Sequence, residues 1–184
     1  MSGGGIMRHL RPWRRLGSDR RGVSAVEFAM LAPVMIFFYF GLAEFCQGYM
    51  AQKRASHSAA MVADLIAQRE GITGGEIDDV FEIGELIMAP FSASPLNMRV
   101  SSATRINGTT VRIDWSRGHG MAARAVGSTI TVPNGLIEVG ESVVMSESTY
   151  DYDSPVDYMM PGVTRFSHTF YLRPRTVEKV VILP

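Results

Sequence analysis

The sequence predicts an α+β protein in which a long N-terminal helix, transmembrane in its first half, packs on a small antiparallel β-sheet domain. Three observations support this prediction. Phe28 to Ala43 contains no charged residue, which is typical of a membrane-spanning helix. Beyond it, small apolar residues recur three and four apart, as on one face of a helix. The second half alternates apolar and polar residues between turn signals, as β-strands do.

Residues 1–22 form a basic leader. Six arginines precede Gly22, and only Asp19 opposes them, whereas the rest of the chain carries a net negative charge. Arginine beside a span stays on the cytoplasmic side of the membrane. We therefore predict a cytoplasmic leader. A nucleic-acid-binding tail is the alternative, and it is disfavoured because the apolar run follows at once.

Glu27 and Glu44 bracket the apolar run. They are 17 residues apart, which corresponds to about 26 Å along a helix at ~1.5 Å per residue. The hydrocarbon core of a bilayer is about 30 Å thick. We therefore predict a transmembrane helix over residues 23–45, with both carboxylates near the two interfaces and a domain outside the membrane over residues 46–184.

Pro33 and Gly41 lie inside this span. Proline removes one backbone hydrogen bond and bends a helix, and glycine lets neighbouring helices approach closely. We assign Pro33, Gly41 and Glu44 to packing within the membrane. A cleaved secretory signal is the alternative, but the run is long, begins at Glu27 and ends without a small-x-small cleavage site.

Gly22, four intervening residues, Glu27 and Phe28 resemble the processing site of type IV prepilins and pseudopilins, which a membrane prepilin peptidase cuts after the glycine. The longer run RRGVSAVEFAMLAPVM, with Glu44 beyond it, resembles more closely the TadE-like proteins of tight-adherence (Flp-type) pilus systems. This resemblance implies a pilin-like fold, a cut between Gly22 and Val23, and a role for Glu27 and Phe28 in processing and assembly.

The resemblance also implies a minor pseudopilin that supports pilus assembly. Its expected partners are the prepilin peptidase, other pilins and pseudopilins, the inner-membrane assembly platform and membrane lipid, with no nucleic acid. We expect a single-pass protein of the inner membrane with its N-terminus in the cytoplasm and its outer domain in the periplasm. No motif indicates an enzyme or a cofactor. An unprocessed membrane-anchored binding or adaptor protein is the alternative.

The helical pattern continues beyond Glu44 to about Arg69. A narrow stripe falls on one face and suits close packing against a sheet or a helix; it consists of Ala51, Ala55, Ala59, Val62 and Ile66. Gly71 and the pair Gly74-Gly75 are expected to end this helix. The lone Cys46 cannot form an intrachain disulfide, and we interpret it as a small apolar residue at the membrane edge, with pairing between chains as the alternative.

A second helix is predicted from Glu76 to about Met88. Its apolar side comprises Ile77, Val80, Phe81 and Ile87. Its acidic side comprises Asp78, Asp79, Glu82 and Glu85, which we interpret as a solvated face, with a cation site as the alternative.

Asn107-Gly108 predicts a two-residue hairpin loop between two strands within Met98–Arg117. That loop would pair Thr104 with Val111 and would bury Val111, Ile113 and Trp115 together. A loop over residues 117–120 and a short helix over residues 121–126 are expected next.

Two further strands are predicted, Gly140–Tyr152 and Arg165–Arg173. Glu147 with its neighbouring tyrosines, and the segment Tyr171–Arg175, again resemble TadE-like sequences. We interpret His119 as a loop residue and His168 as a packed or edge residue, not as ligands or bases.

Overall fold

The computed structural model describes residues 21–156, 160 and 162–184. Most of the predicted leader, residues 1–20, therefore lies outside the described residues. The chain divides into two compact units, of which the first ends at Ala43 and the second runs from Glu44 to Pro184.

The long N-terminal helix, α1, runs from Arg21 to Ala67 and contains Pro33. It confirms the predicted helix and is long and apolar enough to cross a membrane. Its first half exposes large apolar side chains, such as Phe28, which is 71% exposed, and Phe38, which is 67% exposed. In water such a surface is costly, so it indicates a lipid or protein environment.

The predicted alanine stripe of α1 is confirmed as a buried face. All five residues named for it are fully buried. This face packs on the sheet. Ser148 Oγ donates to the Ala55 carbonyl oxygen at 3.2 Å, and Ser58 Oγ donates to Met98 Sδ at 3.4 Å. Small side chains allow this approach, because a side-chain hydroxyl on the sheet reaches the helix backbone only where no large residue intervenes.

The helix ends at Ala67, whose carbonyl oxygen accepts from the Arg175 backbone N–H at 2.9 Å. The glycines that we expected to end the helix belong to the elements that follow it. Gly71 begins a short strand, and Gly74 and Gly75 begin the second helix, α2, at Gly74–Leu86. The local reason is a capping box, in which Thr73 and Glu76 satisfy each other's backbone N–H groups.

The strands are β1 (Gly71–Thr73), β2 (Leu96–Arg105), β3 (Val111–His119), β4 (Thr129–Ile130), β5 (Ser142–Tyr152), β6 (Thr164–Leu172) and β7 (Val181–Leu183). Five of them form an antiparallel sheet in the order β4-β3-β2-β5-β6, and β1 pairs in parallel with β7. The predicted α+β class is confirmed, as are the strands predicted at Gly140–Tyr152 and Arg165–Arg173, within two residues at each end.

The predicted hairpin register is wrong by one residue. Val111 pairs with Arg105, not with Thr104. The loop is longer than two residues because Asn107 Oδ1 accepts from the backbone N–H groups of both Thr109 and Thr110, at 3.0 and 2.8 Å. The asparagine side chain thus organises a wider turn, which its type I′ signature did not reveal.

We predicted that Val111, Ile113 and Trp115 are buried together, but a bulge in β3 separates Trp115 from the other two. Ala103 pairs with Ile113 but Ser102 pairs with Trp115, so Asp114 has no opposite residue. One extra residue turns the following side chain to the other face. Val111 and Ile113 therefore enter one core cluster, while Trp115 enters the other, beneath α1.

The predicted loop over residues 117–120 and helix over residues 121–126 are also wrong. β3 continues to His119, because Gly118 pairs with Arg99. A Cβ on Gly118 would lie 1.8 Å from the Met121 carbonyl oxygen, so glycine permits a close crossing of the chain there. Residues 121–126 run without regular structure.

Candidate processing and assembly site

Gly22, Val23, Glu27 and Phe28 all lie in the first two turns of α1. Val23 and Glu27 are four residues apart, so they share one helix face. Val23, Glu27 and Phe28 are exposed, and a Cβ on Gly22 would meet nothing within 4 Å. The peptide bond between Gly22 and Val23 lies in the first turn, where backbone N–H groups lack intrahelical acceptors.

The residues assigned to packing have different surroundings. Pro33 is exposed, whereas Gly41 and Glu44 are buried. Glu44 belongs to the second unit of the chain, apart from Gly22, Glu27 and Pro33. The predicted site residues are thus divided between the two units of the chain.

Glu44 is enclosed by protein, with 1% of its surface exposed. Its Oε1 accepts from Ser154 Oγ at 2.5 Å and from the Met160 backbone N–H at 3.4 Å. Burial of a carboxylate costs free energy unless hydrogen bonds compensate. The sequence contains no signal for this pairing, because Ser154 lies 110 residues away.

Gly48, one helical turn beyond Glu44, makes room for the same segment. A Cβ at this position would lie 3.1 Å from Met160 Sδ and 3.4 Å from the Tyr152 ring. The hydrogen bonds of Glu44 thus hold Ser154 and Met160 against α1. Gly48 permits this contact because it has no side chain.

Glu147 lies in the strand segment that resembles TadE-like sequences. Its carboxylate is the centre of a charged cluster with Arg99 and Arg124. Arg99 Nε donates to its Oε2 at 2.7 Å, and Arg124 Nη2 donates to its Oε1 at 2.8 Å. Burial alone raises the pKa of Glu147, but hydrogen bonds from the two arginines and their charges outweigh burial, so the pKa lies below its ordinary value. Sequence reasoning missed both arginines, since Arg124 lies in the irregular segment.

His119 is not the isolated loop residue that we predicted. Its Nε2 lies 2.8 Å from Glu85 Oε1, and its ring lies 5.8 Å from the Phe81 ring. His168 lies half-buried on the edge strand β6, as predicted. Burial, and then the charge of Lys53, lower the pKa of His168.

On the acidic side of α2, Asp79 and Glu82 are exposed, as predicted for a solvated face, whereas Asp78 and Glu85 pair with other residues. Asp78 forms a two-pronged pair with Arg117, whose Nε donates to Asp78 Oδ1 at 2.7 Å. Among the described residues, no group of three or more His, Cys, Asp or Glu side chains is placed to hold a metal ion. The alternative of a cation site on this helix therefore gains no support.

These features define a class of protein: an apolar N-terminal helix, long enough to span a membrane, that continues into an α+β unit, where the second half of the same helix packs on the sheet. Residues 22–64 match the family model described as TadE-like protein. The resemblance to TadE-like proteins seen in the sequence is thus confirmed over those residues.

The family match covers under a quarter of the chain and none of its β-strands. No curated protein and no solved structure matches this chain.

Proposed function

We propose that this protein is a minor pseudopilin that acts in assembly of a tight-adherence (Flp-type IVb) pilus, after a prepilin peptidase cuts between Gly22 and Val23. The observation that carries the proposal is the TadE-like segment at residues 22–64. The segment begins at the glycine that precedes the proposed cut and includes Glu27 and the apolar helix.

The precursor would insert as a single span in the inner membrane. The arginines of the leader hold its N-terminus on the cytoplasmic side, and the outer unit then lies in the periplasm. The scissile bond lies in the first turn of α1. The first N–H groups of a helix have no intrahelical acceptor, so this turn opens at less cost than the helix interior when a peptidase requires an extended substrate.

Cleavage would remove all six leader arginines and create a new ammonium group at Val23. Glu27 lies one helical turn further on the same face. Its carboxylate can neutralise the ammonium of its own chain or that of a neighbouring subunit. Such a pair offsets much of the cost of a charge in a membrane, which is about 2.5–3.5 kcal/mol at the centre of the bilayer.

The size of the outer unit supports a minor role. In the tight-adherence pili whose TadE-like proteins this chain resembles, a subunit of the bulk filament is little more than its helix. This chain instead adds an outer unit whose described residues form seven strands and two core clusters. A supporting subunit that contacts other pilins and the assembly platform fits this architecture better than a repeating filament subunit.

The alternative function is a membrane-anchored periplasmic adaptor that is never processed. Mass spectrometry of the protein isolated from cells that contain the cognate peptidase separates the two. We expect a chain that begins at Val23. A chain that retains Met1 would contradict processing and favour the adaptor, and Gly22→Leu, which blocks access to the bond, is the control that should preserve the leader.

A further inference from the structure

Arg105, the last residue of β2, is a buried cation in the outer unit. Only 7% of its surface is exposed, and its Nε is fully enclosed without a hydrogen-bond partner among the described residues. Its Nη1 donates to the Gly108 carbonyl oxygen at 2.9 Å, which is the only hydrogen bond of this guanidinium within the described part of the chain. Most of its N–H donors therefore have no protein acceptor there, although an arginine side chain stays charged.

The charge of Arg105 also lacks a counter-charge. None of the ion pairs between described residues includes Arg105. Other arginines of the outer unit each pair with a carboxylate although they are half-buried or exposed; they are Arg99, Arg117, Arg124, Arg165, Arg173 and Arg175. A buried charge without a counter-charge costs free energy. An anion from outside the chain would offset this cost.

Arg105 lines a cavity of about 230 Å³ that an anion could enter. Val111 and Val132 are the other buried residues of the lining, whereas Thr131 and Asn134 are exposed. A threonine hydroxyl and an asparagine amide are both hydrogen-bond donors, and neither side chain forms a hydrogen bond within the described residues. The lining contains no acidic residue among those described. The cavity thus combines one positive charge with neutral donors.

We propose that this cavity binds a carboxylate group, either of a small organic acid or of an acidic side chain on another polypeptide, and that Arg105 is its counter-ion. A planar guanidinium matches the geometry of a carboxylate, and the pair combines charge with hydrogen bonds. Thr131 and Asn134 supply further donors at the same cavity. The inference concerns the outer unit alone and does not rest on the proposed role in pilus assembly.

The charges around the cavity favour an anion with a single charge. The Arg105 backbone N–H donates to the Glu141 carbonyl oxygen at 3.0 Å, so the acidic segment that contains Glu138 and Glu141 adjoins Arg105. The Glu141 carboxylate pairs with Arg173 at 2.9 Å and is thus engaged elsewhere. One guanidinium balances one negative charge, as on a carboxylate. A phosphate group carries about −1.5 to −2 at neutral pH, and these neighbouring glutamates would oppose it.

Thermal unfolding of the full chain in uncharged detergent micelles tests the site, because a ligand that binds only the folded protein raises its Tm. Sodium acetate at neutral pH is the probe, and sodium chloride at the same ionic strength is the reference. Above the dissociation constant, each tenfold rise in acetate concentration should raise the wild-type Tm by about 3–5 °C. Arg105→Met should abolish this rise. Arg112→Met removes an exposed arginine outside the cavity lining and should preserve it.

Two results would overturn the inference: a wild-type Tm that acetate raises no more than chloride does, or an equal rise in Arg105→Met. In either case Arg105 would only brace the turn through its bond to Gly108. If Arg105→Met does not fold, Thr131→Val and Asn134→Ala take its place, because both residues are exposed. Each should lower the Tm rise at a given acetate concentration, and an unchanged rise in both would contradict the site.

Further probes identify the source of the carboxylate. A glutamate-containing tripeptide with blocked ends presents the group on a polypeptide, and its glutamine analogue is the control that should have no effect. If the glutamate peptide raises the Tm at a lower concentration than acetate does, the site takes an acidic side chain; if acetate is at least as effective, the site takes a small acid. Inorganic phosphate that raises the Tm through Arg105 while acetate does not would overturn the assignment to a carboxylate.

Discussion

Ser154 Oγ donates a 2.5 Å hydrogen bond to Glu44 Oε1, and these two residues are separated by 110 positions in the sequence. The bond joins the outer part of α1 to the segment between β5 and β6. It gives the acid at the end of the apolar run a structural partner in the outer unit, in addition to any role in the membrane.

Glu44→Ala should destabilise the outer unit. The substitution removes the acceptor of the hydrogen bonds from Ser154 and Met160, and a hydrogen bond contributes about 0.5–1.5 kcal/mol to stability. Thermal unfolding of the full chain in detergent micelles, followed by circular dichroism, should show a lower Tm. Glu44→Gln keeps an acceptor oxygen and should lose less, and a Glu44→Ala protein as stable as wild type would show that the contact contributes nothing.

Glu27→Ala should act on assembly and not on stability. Glu27 is exposed on the first part of α1, so its removal breaks no contact in the outer unit. The proposed ammonium at Val23 would lose its partner, and pilus output, measured by shearing and immunoblotting, should fall while membrane insertion and Tm are unchanged. Glu27→Asp is the conservative control. Normal pilus output from Glu27→Ala would remove this carboxylate from the mechanism.

Glu147 should make the stability of the outer unit depend on pH. Because its pKa is depressed in the folded protein, its contribution is present above the ordinary value of 4.5 and is lost as the pH falls through the folded pKa. The free energy of unfolding should therefore decline on acidification below that value.

Glu147→Gln should reduce this decline in the free energy of unfolding at acidic pH, because the uncharged amide does not titrate and forms no ion pairs with Arg99 and Arg124. Urea unfolding of the full chain in micelles at a series of pH values measures the effect. Asp79→Asn, at an exposed position on α2, is the matched control and should change stability by less than about 0.5 kcal/mol. An unaltered pH profile for Glu147→Gln would mean that the cluster is not coupled to folding.

Gly120 and Gly135 offer a matched pair for a steric prediction. Both have positive φ angles, +68° and +78°, so alanine strains the backbone at either position by roughly 1–2 kcal/mol. At Gly120 the new Cβ would also lie 2.2 Å from Asn97 Oδ1, whereas at Gly135 it would meet nothing within 4 Å.

Gly120→Ala should therefore lower the Tm more than Gly135→Ala does. A destabilisation of 1 kcal/mol corresponds to a shift of about 2–4 °C for a protein of this size. Equal shifts in the two variants would indicate that Asn97 moves aside without cost and that backbone strain is the whole effect.

The sequence by itself determined the local features of this protein. An uncharged run of the right length predicts a span, residues three and four apart predict the buried stripe of α1, and alternation predicts β5 and β6. Gly22, Glu27 and Phe28 carried the resemblance to TadE-like proteins. Each of these signals lies within a few residues, where helix and strand periodicity act directly.

Tertiary structure decided the features that depend on distant partners. Ile113 and Trp115 lie two residues apart, yet they enter different core clusters because Asp114 is bulged. Thr104 Oγ1 donates to this aspartate at 2.5 Å and Lys179 pairs with it at 2.6 Å. The bulged Asp114 thus contacts Thr104 on the neighbouring strand and Lys179 far along the chain, and no local pattern around Asp114 records the second partner.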